Sequence, residues 1–337
     1  MEIRPILSTL KRHKTASILI VLEIALSCAI VCNALFLIGQ RLAHMQRPSG
    51  FDEAHLVFVG ANSVRHDADA RALTGDDLAA LRALPGVRSA TVVSQIPFGN
   101  SVWNSGIKLS AEQQDSSVTT TNYMVAEDGL KTLGLSLLEG RDFQPGEYVD
   151  SDQQNIPAVI LSRALAERLF PGQDAVGKSI YVFGDQPHRV VGVVAHLARP
   201  RDYGAAADYD VSMLFPSRFS YSEGGVYALN VADPAQRAAV LERAQQVIAS
   251  HGPKRIVSKN ATRSLEELRQ RYYRNDRAMA GMLVGVCALL LLVTALGIVG
   301  LASFWVQQRT RQIGIRRALG ATKGQILRYF QTENFLL

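Results

Sequence analysis

The sequence predicts a membrane protein in which two transmembrane α-helices flank a large α+β extracytoplasmic domain of two lobes. Three observations predict it. Two long apolar runs, residues 16–38 and 278–306, are each long enough at about 1.5 Å per residue to cross a hydrocarbon layer of about 30 Å. The net charge of +6 sits at the chain ends. Arg4, Lys11, Arg12 and Lys14 precede the first run, while Arg309, Arg311, Arg316, Arg317, Lys323 and Arg328 follow the second, so the stretch between them is slightly acidic. Basic flanks of this kind stay in the cytoplasm; a nucleic-acid binder would carry its basic face on the folded domain. Between the runs, strand-like and helix-like segments alternate without a continuous βαβ period, which is the α+β pattern.

Residues 1–15 read as a basic, partly amphipathic lead-in along the inner face of the membrane. The first span, 16–38, is interrupted by Glu23 and Asn33. It is too long for the apolar region of a signal peptide, and no small-x-small cleavage site follows it. A lipoprotein site at Cys28 is disfavoured by Ala25, where leucine is expected. Glu23 is costly in lipid, so it is expected to face another helix. The three cysteines, Cys28, Cys32 and Cys287, all lie inside the apolar runs, which leaves the domain at 39–277 without a disulfide framework.

Within that domain, 55–60 reads as a strand. Thr74-Gly75-Asp76-Asp77 reads as a capping box opening a helix that Pro85-Gly86 ends. Period-two patterning predicts strands at 87–96, 106–109 and 118–125, with a short helix near 128–133. Residues 135–143 are expected to end in a turn. A buried strand at 157–161 precedes Ser162, the expected cap of a helix over 163–170. Strands follow at 179–183, 189–195, 211–215 and 225–231. Asp233 and Pro234 open a helix to residue 250, and a last strand covers 255–258. Residues 196–209 are expected to be a mobile polar loop with His196, Arg199 and Arg201 solvated. Residues 264–274 are helical and are expected to run without a break into the second span, 278–306.

Gly172-Gln173-Asp174-Ala175-Val176-Gly177-Lys178-Ser179 matches the phosphate-loop pattern letter for letter. That loop works only when a strand feeds it and a helix leaves it, so that helical N–H groups meet the phosphates. Here a helix enters and a strand leaves, so the segment is a turn. The seven histidines form no ligand-spaced pair, and no nucleophile elbow is present. No catalytic residue, cofactor site or metal site is assigned to the chain.

The run Thr310-Arg311-Gln312-Ile313-Gly314-Ile315-Arg316-Arg317-Ala318-Leu319-Gly320-Ala321-Thr322 resembles the signature after the second span of FtsX-like permeases of ABC transporters, the MacB and LolC type. The segments 138–143, 164–172, 176–178 and 190–194 resemble that family's periplasmic core domain in the same order. The resemblance implies four membrane helices in the bacterial inner membrane, and a permease that works as a dimer with a second copy or a paralogue. It also implies a separate cytoplasmic ABC ATPase, which binds the ATP and docks on the segment after the second span. In that segment Arg311, Arg316 and Arg317 offer cationic contacts, Ile313, Ile315 and Leu319 (with Ala318 and Ala321) fit a partner groove, and Gly314 and Gly320 permit close approach or a turn. Thr322 and Gln325 then resemble a capping box restarting a helix. Gln312 stands where the family usually has Glu.

The expected function is transmission of ATPase motion to the periplasmic domain, with efflux of a periplasmic substrate and a membrane-fusion adaptor as a further partner. Gly281, Gly285, Gly297 and Gly300 are expected to let membrane helices pack closely. Because the sequence stops at Leu337, inside 307–337 where a third span is expected to start, the reading is of a permease truncated before that span. The alternative is a two-span membrane sensor with an extracytoplasmic ligand-binding domain.

Overall fold

A computed structural model describes residues 14–63, 69–99, 102–151, 155–202, 208–308 and 310–335. Most of the lead-in at 1–15, the centre of the polar loop at 203–207, Arg309 and the last two residues lie outside the described residues. The chain divides into two compact units: Met1–Gln46 with Asn275–Leu337, and Arg47–Arg274.

The second unit is a mixed sheet of thirteen strands among the described residues: β1 Leu56–Ser63, β2 Val87–Val93, β3 Asn104–Ile107, β4 Val118–Val125, β5 Leu137–Gly140, β6 Val149–Asp150, β7 Ala158–Ser162, β8 Ser179–Tyr181, β9 Pro187–Val194, β10 Ser212–Arg218, β11 Val226–Val231, β12 Arg255–Val257 and β13 Arg263–Ser264. The sheet runs β12-β1-β11-β2-β4-β10-β7-β9-β5. Its helices are α2 Ala70–Arg82, α3 Gly129–Leu133, α4 Arg163–Leu169, α5 Arg237–Ser250 and α6 Leu265–Tyr272. The first unit holds α1 Lys14–Met45, α7 Arg274–Gln308, α8 Thr310–Ala318 and α9 Lys323–Phe335.

Two separate cores make two lobes. In the first, Val57, Val59 and Ala61 of β1 and Tyr227, Leu229 and Val231 of β11 point to one face, two residues apart as strand pleating requires. Against them lie Val240, Ala244 and Ile248 of α5, a row of i, i+4 positions on one helix face, together with Leu78 and Leu81 of α2. The second core gathers Val159 and Leu161 of β7, Met213 and Phe215 of β10, and Leu165 and Leu169 of α4. Burying each such leucine stabilises the lobe by about 1.5–3 kcal/mol. The sheet passes between lobes at β2–β4, where Val93 faces Val125 as the single registered pair.

Local signals explain the helix that fits best. The Ser162 hydroxyl accepts the Leu165 N–H at 3.3 Å, the N-cap bond that opens α4. β7 is buried along its whole length, hence its unbroken apolar reading, and it pairs in parallel with β9 on one side.

Several expectations are corrected. α2 starts at Ala70, not after Thr74. The Thr74 hydroxyl donates to the Ala70 carbonyl at 2.7 Å and accepts the Tyr221 N–H at 3.2 Å, while Asp77 binds Arg255 and Tyr227. Residues that resemble a cap are spent on tertiary partners. Residues 137–140 form an edge strand, β5, and the turn follows it. Gly140 there has φ +75°, and a Cβ on it would meet the Val191 carbonyl oxygen at 2.2 Å. The segment opening at Pro234 begins as a short 3-10 turn capped by Asp233, whose side chain accepts the Ala235 N–H at 2.9 Å, and α5 proper starts at Arg237. α6 does not run on into α7: Tyr273 takes φ −87° and ψ 12° between them, and its buried ring packs edge-on to Tyr272.

In the first unit the helix of the first span reaches Met45, beyond the expected end at residue 38. The stretches Val21–Met45 and Arg274–Gly300 are long and apolar enough to cross a membrane. Leucines such as Leu22 and Leu296 are about two-thirds exposed, as expected of a helix whose surroundings are lipid.

Candidate functional site

The segment after the second apolar helix is a helix–turn–helix. α8 ends in a Schellman turn: the Ala321 N–H donates to the Arg316 carbonyl at 3.0 Å and the Gly320 N–H to the Arg317 carbonyl at 3.1 Å. Gly320 sits at φ +92°, the left-handed position that favours glycine. α9 then opens with a reciprocal capping box. The Thr322 N–H donates to Gln325 Oε1 at 3.0 Å, and the Gln325 N–H donates to the Thr322 hydroxyl at 3.4 Å.

The two short helices are stapled by Arg316, whose guanidinium lies 4.0 Å from the centre of the Tyr329 ring, a cation–π contact. That leaves one face outward. Arg311, Ile315 and Leu319 recur at i, i+4 and are exposed, Leu319 at 82%. Gly314, Arg317 and Ala318 are exposed as well, while Ile313, Arg316 and Ala321 are half-buried. A Cβ at Gly314 would meet nothing within 4 Å, so nothing among the described residues requires glycine there. The face combines guanidinium charge with bare aliphatic side chains.

The apolar helices α1 and α7 meet at three levels. The Ser27 and Thr294 hydroxyls are 2.9 Å apart, with Thr294 donating onward to the Leu290 carbonyl at 2.9 Å. One turn along, the Glu23 carboxylate lies against Gly297, where a Cβ would stand 2.7 Å from its oxygen. At the other end Arg41 pairs with Asp276, and His44 Nδ1 lies 3.7 Å from the same carboxylate. Gly281, Gly285 and Gly300 have open space in front of them.

In the second unit, α6 is fastened to the segment where the domain begins. Arg269 pairs with Glu53, donates to the Arg47 carbonyl at 2.7 Å, and lies over the Phe98 and Tyr273 rings at 5.4 and 5.7 Å. The neighbouring loop joins in: the Tyr272 hydroxyl accepts the Asp202 N–H at 2.8 Å, and Arg47 reaches Asp202 at 3.8 Å. The expectation of solvated loop residues fails at Arg199, which is 6% exposed. Its Nε donates to the Thr121 hydroxyl at 3.0 Å and its Nη2 to Asn104 Oδ1 at 3.2 Å. Burial lowers its pKa, against the opposing charges of Asp208 and Asp202. His196 pairs with Asp210 at 2.8 Å.

The phosphate-loop look-alike is a helix-to-strand turn. Gly172 and Gly177 take φ +69° and +90°. The Gly177 N–H donates to the Val190 carbonyl at 2.8 Å, and the Lys178 ammonium lies over the Phe170 ring at 4.5 Å. Its lysine and a loop N–H are already occupied within the fold. Among the described residues no group of three or more His, Cys, Asp or Glu side chains is placed to hold a metal ion.

Sequence reasoning missed the Arg316–Tyr329 stack, the Arg269 clasp and the setting of Trp103, described below. Each joins residues across a turn or from distant elements, so no spacing rule points to it.

Comparison with known proteins follows the same lines. The family model described as MacB-like periplasmic core domain matches residues 17–247, and the one described as FtsX-like permease C-terminal matches residues 284–337. An uncharacterized ABC transporter permease of Bacillus subtilis (strain 168), YknZ, is 24% identical over 344 residues, covering all of this chain and 82% of its own. The macrolide export ATP-binding/permease protein MacB of Rhodospirillum rubrum is 28% identical over 284 residues, covering 82% of this chain and 41% of the relative. The chain spans about half the length of the MacB relatives it matches. The crystal structure of the periplasmic region of MacB from Actinobacillus actinomycetemcomitans covers 66% of this chain and 94% of its own, at 18% identity and a TM-score of 0.41.

Proposed function

The chain belongs to the family of ABC transporter permeases with a MacB-like periplasmic core domain and an FtsX-like C-terminal region, and from that premise we propose that it couples a separate ATPase to its extracytoplasmic domain. A cytoplasmic ABC ATPase subunit binds and hydrolyses the ATP. Its motion enters through α8 and is carried to the periplasmic domain, driving efflux of a periplasmic substrate from the bacterial inner membrane. The observation that carries this reading is the outward face of α8: Arg311, Ile315 and Leu319 aligned and exposed on a helix that the Arg316–Tyr329 stack holds to α9. A membrane-flanking helix that served only as a stop signal would have no use for exposed Leu319 beside a built turn.

A second permease copy or a paralogue completes the unit, and the open faces at Gly281, Gly285 and Gly300 are where its helices pack closely. A membrane-fusion adaptor is the periplasmic partner. The reading of efflux is supported by the relatives that are named for macrolide export. The sensor alternative is not favoured, because the FtsX-like match covers 284–337, where a sensor would carry its output linker.

The test is co-purification of the cognate ABC ATPase with the full chain in lipid nanodiscs. The double variant Arg311→Glu with Arg317→Glu reverses two exposed charges of α8 without touching the Arg316–Tyr329 stack. It is expected to lose the ATPase, while Lys131→Glu on the periplasmic domain keeps it. Full retention by the double variant refutes the docking assignment.

A further inference from the structure

The second lobe carries a cleft of about 450 Å³ that the coupling reading does not use. Its walls are the rings of Trp103, Phe183 and Phe219 with the side chains of Met124 and Ile156. Trp103 lies 6.4 Å from Phe183 and 6.2 Å from Phe219, centre to centre. Among the described residues lining the cleft none is charged, and Ser151 and Ser217 supply its side-chain hydroxyls. The Ser151 hydroxyl is already donated to Glu223 at 2.5 Å.

Trp103 is the unusual member. A large indole 43% exposed adds little to folding at that position, yet it is held firmly. The Trp103 N–H donates to Gln95 Oε1 at 2.6 Å, and the same buried glutamine anchors itself by donating to the Asn122 carbonyl. The Trp103 carbonyl in turn accepts the Asn122 N–H at 3.0 Å. The backbone that presents the indole is therefore fixed before any ligand arrives, which lowers the ordering cost of binding. Phe219 packs against both hydrophobic cores, so the cleft lies where the lobes join, beside the narrow β2–β4 link.

From this setting we infer that the cleft binds a small, neutral, ring-bearing apolar molecule, stacked on Trp103 and edge-on to Phe183 and Phe219. The volume falls in the range of about 300–1,000 Å³ typical of sites for drug-sized molecules. Aromatic walls favour a planar ring in offset or edge geometry. The charge preference follows from the described lining, since an anion or cation entering it would lose hydration and gain no partner among those residues. The inference does not depend on the ATPase-coupling reading, and its assay contains no ATPase.

The test uses the full chain in lipid nanodiscs, with its two tryptophans replaced by fluorotryptophan, and coumarin as the neutral ring probe. The fluorine resonance of Trp103 is assigned by its loss in Trp103→Phe; that of Trp305 is the internal control for partition into lipid. Coumarin is expected to shift the Trp103 resonance saturably and leave Trp305 unmoved, while coumarin-3-carboxylate shifts neither. Phe183→Ala is expected to weaken coumarin about tenfold, the scale of one lost ring contact with its buried area. The inference is overturned if Trp103 does not respond up to the solubility limit of coumarin. It is equally overturned if the carboxylate binds as well as the neutral probe, or if both resonances drift together without saturation. The coumarin titration of the parent chain does not use Phe183→Ala, so poor folding of that variant leaves it decisive.

Discussion

Two glycines in the segment 310–321 should respond to alanine with opposite signs. Gly314 is helical and a Cβ there meets nothing within 4 Å, so Gly314→Ala removes only the backbone freedom of glycine and stabilises α8 by about 0.8–1 kcal/mol. Gly320 also has open space, but its φ of +92° places the new Cβ in a left-handed conformation, which costs about 1–2 kcal/mol. Each change corresponds to roughly a fourfold or greater shift in a local opening equilibrium. The reporters are built in: the Leu319 N–H bonded to Ile315 at 3.0 Å and the Ala321 N–H bonded to Arg316 at 3.0 Å. Hydrogen exchange of the full chain in nanodiscs should show slower exchange at Leu319 in Gly314→Ala and faster exchange at Ala321 in Gly320→Ala. The functional readout then separates helix stability from docking. If Gly314 is glycine because an ATPase surface comes close to it, Gly314→Ala binds the ATPase more weakly although its helix is firmer. Unchanged exchange in both variants would sink the structural argument. Tighter or equal ATPase binding by Gly314→Ala would sink the close-approach argument.

Three further outcomes follow from the domain. Asp77→Ala leaves the Arg255 guanidinium, 0% exposed at its side chain, without its carboxylate, and should destabilise the domain by about 3–5 kcal/mol in chemical unfolding, with Asp77→Asn costing less. His188 is fully buried, and burial holds its pKa below the ordinary 6.5 even though its Nδ1 hydrogen-bonds the Ile156 carbonyl at 2.5 Å. The unfolded chain therefore takes up the proton first, so stability is full above 6.5 and falls as pH drops below it; thermal unfolding should show that decline, and His188→Gln should flatten it. Arg269→Ala removes the bonds to Glu53 and the Arg47 carbonyl and should cost about 2–3 kcal/mol of local stability, read as faster exchange in α6, while Arg269→Lys recovers part by keeping the charge but not the fork.

Local signals were readable where the residues concerned answer only to their neighbours in sequence. The Ser162 cap and the Thr322–Gln325 box close their bonds within three residues, and β7 and the β4 strand at 118–125 show in their own residue patterns, so pattern and spacing suffice. At the segment 310–321 the turn at Gly320 and the restart at Thr322 were visible in the same way. What the sequence could not show was any bond closed over a long loop. Thr74 and Asp77 have the letters of a cap, but Tyr221, Tyr227 and Arg255 claim them from far along the chain. Arg199 reads as a solvated loop charge until Thr121 and Asn104 are brought to it. The order of strands, with β4 and β10 parallel neighbours, is equally invisible to periodicity, because a strand's pattern fixes its faces and not its partners.

The contacts between α1 and α7 restrict what a push on α8 can do. Moving α7 alone along α1 by one helical turn, about 5.4 Å, would separate Ser27 from Thr294, drive the Glu23 carboxylate off Gly297 and break Arg41 from Asp276 together. The first two sit at membrane depth, where a polar group without a partner is costly. The third is a charge pair that would have to be separated. The low-cost motion is one in which both helices travel as a pair. Arg269 ties α6, just before α7, to Arg47 and Glu53, just after α1, so the segments where the chain begins and ends the domain are already one body. In the proposed coupling, α7 is therefore one half of a paired strut, and the break at Tyr273 means that force leaves it through a packed aromatic corner and not along a continuous helix. That is why Arg269, far from any nucleotide, is the residue whose loss should leave ATP hydrolysis running while movement of the domain stops.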